Sequence, residues 1–210
     1  MHPLLEIFDD AARGRFFASD GGVTFLPPLE DGREAVVAFT GHSVIASRLG
    51  RAELRDLSPD GFGSALAPAV LLRLAAGGTV GVGDVTLVAR GTGEGTALSR
   101  TRELDEHPRV GHARLLRREV AVYGDSSGFF TMAHGLAGRR EVSVECTSTS
   151  PPGTGRRLIG EARRAAQADT WLFAAVSPGN ARSLRAFLSA GFVPIASEVL
   201  ITPFVANAHR

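Results

Sequence analysis

Alternating apolar and polar positions mark most of the chain as strand-forming, interrupted by stretches whose apolar residues recur at helical spacing. GGVTFLPP and REAVVAFTG read as strands bounded by glycine and proline, Ala65 to Ala76 (ALAPAVLLRLAA) as a buried helix, and VGVGDVTLVARG as a further strand. Gly91 to Pro108, GTGEGTALSRTRELDEHP, is the best candidate for a linker or long loop. HARLLRREVAVYGD and GFFTMAHGLA then predict two strands joined by a turn at Asp125 to Gly128, and LAGRR leads into a third, REVSVECT. Three consecutive strands without a helix make an antiparallel meander. Next, Leu158, Ile159, Ala162, Ala165 and Ala166 share one helical face while Arg156, Arg157, Arg163 and Arg164 take the other. TWLFAAVSP is a nearly continuous apolar run, as suits a strand covered on both faces and parallel to its predecessor. NARSLRAFLSAGF predicts a helix opened near Asn180 and stopped at Gly191, and FVPIASEVLI closes the sheet. This order predicts an α/β (α+β) fold: a mixed, mostly antiparallel sheet with one right-handed crossover and flanking helices.

Between REVSVECT and the arginine-rich helix lies SPPGTGRR, Ser150 to Arg157. A strand that ends in a Gly-x-Gly turn and feeds a helix presents unpaired amides and the positive end of the helix dipole, which suits an anion, most often phosphate. Pro151 and Pro152 have no amide, so the donors begin at Gly153. Taken alone, tight packing explains such glycines at least as well. A second cluster, VGVGDV at Val80 to Val85, is followed by a strand and not by the helix a dinucleotide fingerprint requires.

Composition narrows the chemistry. The 210 residues contain no lysine, so all 23 basic residues are arginine, and a Walker phosphate loop or a Schiff-base mechanism is excluded. Tyr123 is the only phenol, and Cys146 the only cysteine, which rules out an internal disulfide and a cysteine-based zinc cage. No histidine pair has metal-ligand spacing, so no metal is expected. The net charge of +1 is spread along the chain without a basic, aromatic-interleaved tract, so nucleic acid is not an expected partner. The opening MHPLLEIFDD carries acids where a leader would carry bases, and no apolar run reaches membrane-crossing length; a cytoplasmic location without a membrane partner is expected.

Glu141 to Phe192 resembles the GNAT superfamily of N-acetyltransferases. The resemblance lies in a strand, the loop Ser150-Pro-Pro-Gly153-Thr-Gly155, a helix, the apolar strand WLFAAV, then Asn180-Ala-Arg-Ser183 and a helix ending in Gly191-Phe192. It is specific over the last third to half of the chain and only topological before it. It implies that the parallel strands near Val142–Thr147 and Trp171–Val176 splay apart to admit the pantetheine of acetyl-CoA as co-substrate. It further implies cofactor contacts from Cys146, Thr147, Gly153, Thr154, Gly155, Arg156, Arg157, Asn180, Ser183 and Phe187, with an amide around Cys146 or Thr147 meeting the oxyanion. Two positions depart from the family pattern. Ser150 stands where glutamine or arginine is usual, although Arg156 and Arg157 lie near enough to supply charge. Phe187 stands where many members carry the tyrosine that protonates the departing thiolate, which leaves that proton to solvent.

Acetyl transfer to an amine also needs a group that takes the amine's proton. Along REVSVECT, Glu141, Ser143, Glu145 and Thr147 share one face and Val142, Val144 and Cys146 the other, which is assigned to the core. Glu145, next to the loop, is the preferred general base and Glu141 the reserve; a surface or salt-bridged glutamate is the competing reading. Cys146 reads as a small buried hydrophobe. His134 and Tyr123 read as packing residues, and His42 and His112 have no partner visible in the sequence.

The expected organisation is an N-terminal part (1–105) on the acceptor side or at an interface, an acetyl-CoA-binding core (106–205) and a tail (206–210). The expected activity is N-acetyl transfer to a primary amine of a small molecule or peptide, by a homodimer by default. A catalytically idle acyl-CoA-binding or sensor domain is the alternative, and a phosphate-binding protein unrelated to CoA is the third reading.

Overall fold

The computed structural model describes residues 1–204; the expected tail at 206–210 lies outside them. The elements in chain order are α1 (Pro3–Ala12), β1 (Val23–Leu26), β2 (Glu34–Phe39), β3 (His42–Ala46), α2 (Pro68–Ala75), β4 (Thr79–Val80), β5 (Asp84–Arg90), β6 (Ser99–Arg100), α3 (Pro108–Leu116), β7 (Arg118–Asp125), β8 (Gly128–His134), β9 (Arg140–Cys146), α4 (Thr154–Ala165), β10 (Trp171–Val176), α5 (Ala181–Ser189) and β11 (Val193–Thr202). The strands are mostly antiparallel, with parallel pairs among them and helices flanking them, as the hydrophobic pattern predicts. Contacts gather the chain into two units, one of 1–85 with the chain from 195 onward, the other of 86–194. No helix among the described residues is long and apolar enough to cross a membrane.

In the first unit β3 lies between β1 and β2, and β2 pairs antiparallel with β11, which also carries β4. Val36, Ile45, Leu54, Val70, Leu74 and Ile201 form its core, closed by α2. α1 begins with Pro3, whose fixed φ suits the first helical position, and His2 Nδ1 accepts from Leu4 N at 3.2 Å as its cap. His42, without a visible partner in the sequence, is tied at both ring nitrogens, to Asp20 at 3.0 Å and Thr24 at 2.9 Å, and stacks on Phe17. Neither α1 nor β3 is distinguished by the sequence pattern.

In the second unit the meander β7–β8–β9 forms as expected, with Asp125 opposite Gly128 at its first turn. Leu158, Ile159 and Ala162 bury one face of α4. One element differs from expectation. His112 to Leu116 belongs to α3 and not to the strand that follows. Pro108 starts this helix, His107 Nδ1 accepts from Arg109 N at 3.1 Å, and Val110 and Ala113 are buried. Val110 packs with Val122 and Phe129, so α3 covers the face of β7 and β8 that α4 leaves open. The presumed linker before it contributes β6, paired with β7.

Candidate active site

β9 and β10 run parallel and meet at one bridge, Phe173 opposite Glu141. Beyond it β9 continues to Cys146 and β10 to Val176 without further pairing among the described residues, so the two strands part on the way to the glycine loop. On its other side β9 is paired with β8 along its whole length. Thr147 N donates to Ser127 O at 3.2 Å, one step beyond the Cys146–Gly128 pair. Bonded and non-bonded pairs alternate in an antiparallel ladder. Residues 141, 143, 145 and 147 therefore turn their backbone groups to β8, and Val142, Val144 and Cys146 turn theirs into the gap. The Phe173 bridge takes up Val142, which leaves the amides of Val144 and Cys146. Of the two oxyanion donors expected, Cys146 faces the gap, whereas the Thr147 amide is engaged.

The loop after β9 ends at Gly153, whose φ of +91° is a left-handed conformation that side chains resist. No side chain caps the helix that starts there. Thr154 N bonds back to Pro151 O at 3.3 Å and Arg157 N to Gly153 O at 3.0 Å, while Gly153, Gly155 and Arg156 have no such backbone partner. Their amides lie on the first turn of α4, where the helix dipole adds positive potential. Thr154 is buried, and its hydroxyl donates to Pro151 O at 2.8 Å, which stiffens the loop. A Cβ on Gly155 would meet only Cys146 Sγ at 3.6 Å and Ala186 Cβ at 3.8 Å, so the protein itself does not require glycine there.

Several side chains hold different posts from those expected. Both arginines of the loop are exposed, but Arg157 is committed to the β7–β8 turn, with Nη2 at 2.6 Å from Ser127 Oγ and 2.8 Å from Asp125. Ser150 turns inward to Ser127 O and Thr147 Oγ1. Asn180 caps α5 through its side-chain oxygen, which accepts from Ser183 N at 3.1 Å. Phe187 is 2% exposed and lies edge-on to Phe192. Its ring is core, and it offers no proton to a leaving group. Cys146 is half-buried; burial pushes its thiol up, and Arg182 on α5 opposes that rise. Arg182 is thus a cation near Cys146 that the sequence reading did not single out.

The two glutamates separate clearly. Glu141, the reserve base, is 4% exposed, with Arg139 Nε at 2.9 Å, Arg117 Nε at 2.6 Å and the Leu136 amide at 3.0 Å. Burial alone would raise its pKa, but the charges of Arg139 and Arg117 overcome it and hold the carboxyl at about 2. It is a structural anion bound by two arginines and, contrary to expectation, not placed to serve as a base. Glu145 is half-exposed, opposite Phe129 on the face of the sheet that α3 covers, with Arg109 Nε at 3.4 Å. Arg109 is the second residue the sequence reading missed. Its Nη2 donates to Val144 O at 3.3 Å, on the side of β9 that faces the gap, and its Nε is buried without a hydrogen-bond partner. His134 is bound to Gly138 O at 3.1 Å, and Tyr123 stacks on Phe130, both away from this group. A cavity of about 190 Å³ between α1 and Phe39, in the first unit, contains neither a nucleophile nor a loop of free amides.

No protein-family model matches the chain, and comparison with curated proteins finds no match. Two similar solved structures are a GNAT-family protein from Novosphingobium aromaticivorans DSM 12444 (19% identity, TM-score 0.39, 60% of this chain) and a GNAT-family acetyltransferase from Colwellia psychrerythraea (10% identity, TM-score 0.39, 61% of this chain). The matched region spans 66% and 59% of those two chains. Identities this low speak to fold alone and the superpositions are loose, so the functional reading rests on the geometry of this chain.

Proposed function

We propose that the second unit is an acyltransferase that uses acetyl-CoA to acetylate a primary amine. The single observation that carries this is the gap after the Phe173–Glu141 bridge, which opens toward three uncapped amides on a glycine loop. A diphosphate fits such amides, and the amides of Val144 and Cys146 suit a thioester-bearing arm laid along β9. Glu145 takes the proton of the incoming amine, the Cys146 amide meets the oxyanion on the acyl oxygen, and solvent protonates the thiolate. Thiol release from acetyl-CoA with a panel of amines tests the reading. Failure of CoA to shift the melting temperature, together with no thiol release from acetyl-CoA, would defeat it.

A second reading is favoured by Phe187 and Ser150. The ring at 187 supplies no acid, and the serine is turned away from the loop amides. Both fit a domain that binds acyl-CoA without turning it over. Binding of CoA with no thiol release from any amine, and an affinity unchanged in Glu145→Gln, would select it.

A further inference from the structure

We infer that Arg109 and Glu145 together select an α-amino acid as the acceptor, with the carboxylate on Arg109 and the amino group on Glu145. The inference rests on the acyltransferase reading above and deepens it.

The Arg109 guanidinium is hydrogen-bonded at one corner, to Val144 O at 3.3 Å, and its buried Nε has no hydrogen bond but makes an ion pair with Glu145 Oε2 at 3.4 Å. Glu145 and Arg109 are each 41% exposed, so a small molecule can reach both. An ion pair made through one long contact, with both partners half in solvent, leaves outer guanidinium donors and carboxylate lone pairs that match a zwitterion whose ammonium and carboxylate flank one carbon. Arg suits the carboxylate, because its planar donors bind such groups two at a time. The pair is built in rather than incidental. Arg109 follows Pro108 in a first turn capped by His107, whose ring stands edge-on to Phe129 at 4.9 Å, and Phe129 lies directly across from Glu145.

The position also suits the reaction. Val144 O faces the gap, so an amine on Glu145 sits beside the lane in which the thioester would lie. Glu145 takes one proton from the ammonium; the amine nitrogen then bonds to the acyl carbon while the carbon–sulfur bond breaks. The remaining extra proton passes from the nitrogen to solvent as the amide forms, and the thiolate takes one from solvent. A carboxylate on the acyl donor is the other way to satisfy Arg109, but it would leave one guanidinium to balance two carboxylates, whereas a zwitterion adds no net charge.

Thiol-release kinetics with matched acceptors, phenylalanine against 2-phenylethylamine and alanine against ethylamine, test this. A charged hydrogen-bonded pair corresponds to roughly a 10- to 150-fold preference in kcat/KM for the amino acid. Arg109→Gln should bring that ratio close to one, and Arg109→Lys should restore part of it, with melting curves in the presence of CoA showing both variants folded. Equal use of amines and amino acids by the parent protein overturns the inference and leaves the acyltransferase reading standing. A preference for succinyl-CoA over acetyl-CoA that depends on Arg109 also overturns it, by moving the carboxylate to the donor. Silence with every acceptor overturns both.

Discussion

Glu141 and Glu145 lie four residues apart on one face of one strand, yet their surroundings assign them opposite tasks. Glu145 has a single cation near it and stands half in solvent, where a carboxylate can accept a proton. Glu145→Gln is expected to lower kcat by about 10²-fold or more while CoA still raises the melting temperature, measured by thiol release alongside thermal unfolding. Glu141 balances Arg139, which is 1% exposed, and Arg117. Removing it takes the shared carboxylate from two largely buried guanidinium groups, so Glu141→Gln should destabilise the protein by about 3–5 kcal/mol in urea unfolding. Its pH signature has a definite sign. A carboxyl depressed from 4.5 to about 2 contributes stability above its ordinary pKa that is lost as pH falls through the folded value. Unfolding free energy should therefore drop on the order of 3 kcal/mol between pH 4.5 and 2 on account of this residue, and Glu141→Gln should flatten that part of the curve. The alternation of REVSVECT places both glutamates on the same face and Arg139 two residues before Glu141, but Arg109 and Arg117 come from positions that no local pattern links to the strand.

At the scale of elements, the glycine loop and α4 form one unit. Gly153 is needed for its backbone: with φ at +91°, Gly153→Ala should cost about 1–2 kcal/mol, visible as a lower melting temperature without CoA. Gly155 differs, because its Cβ space is open to ordinary contact. Gly155→Ala should leave the melting temperature of the free protein within about 2 °C, consistent with a change of ±0.5 kcal/mol or less, and weaken CoA binding in calorimetry if a phosphate approaches that amide. Unchanged CoA affinity would place the diphosphate elsewhere. The loop, α4, β10 and α5 are legible in the sequence because each is announced by its own period or cap. α3 is not. Its one buried stripe, Val110 and Ala113, is too short to register, Leu115 on the same helix is 81% exposed, and the arginines around it read equally well as strand.

For the molecule as a whole, a ligand bound only by the folded state raises stability by mass action. CoA at about 100 times its Kd should add about 2.7 kcal/mol, or roughly 5–10 °C in melting temperature for a chain of this size. If Arg156 and the loop amides hold the diphosphate as proposed, added salt should reduce that shift. The sequence by itself determined which chemistries are open. With no lysine, one phenol and one thiol, phosphate recognition falls to backbone amides and arginine. It also determined the strand–loop–helix order, because side-chain period and glycine–proline punctuation act over a few residues. Tertiary structure alone decided that β9 and β10 part after one bridge, that Glu141 is neutralised while Glu145 stays accessible, that Arg157 is spent on a turn, and that Arg109 arrives beside Val144. Those outcomes depend on which distant segments pack together, and packing is set by the fit of whole faces rather than by the order of neighbouring residues.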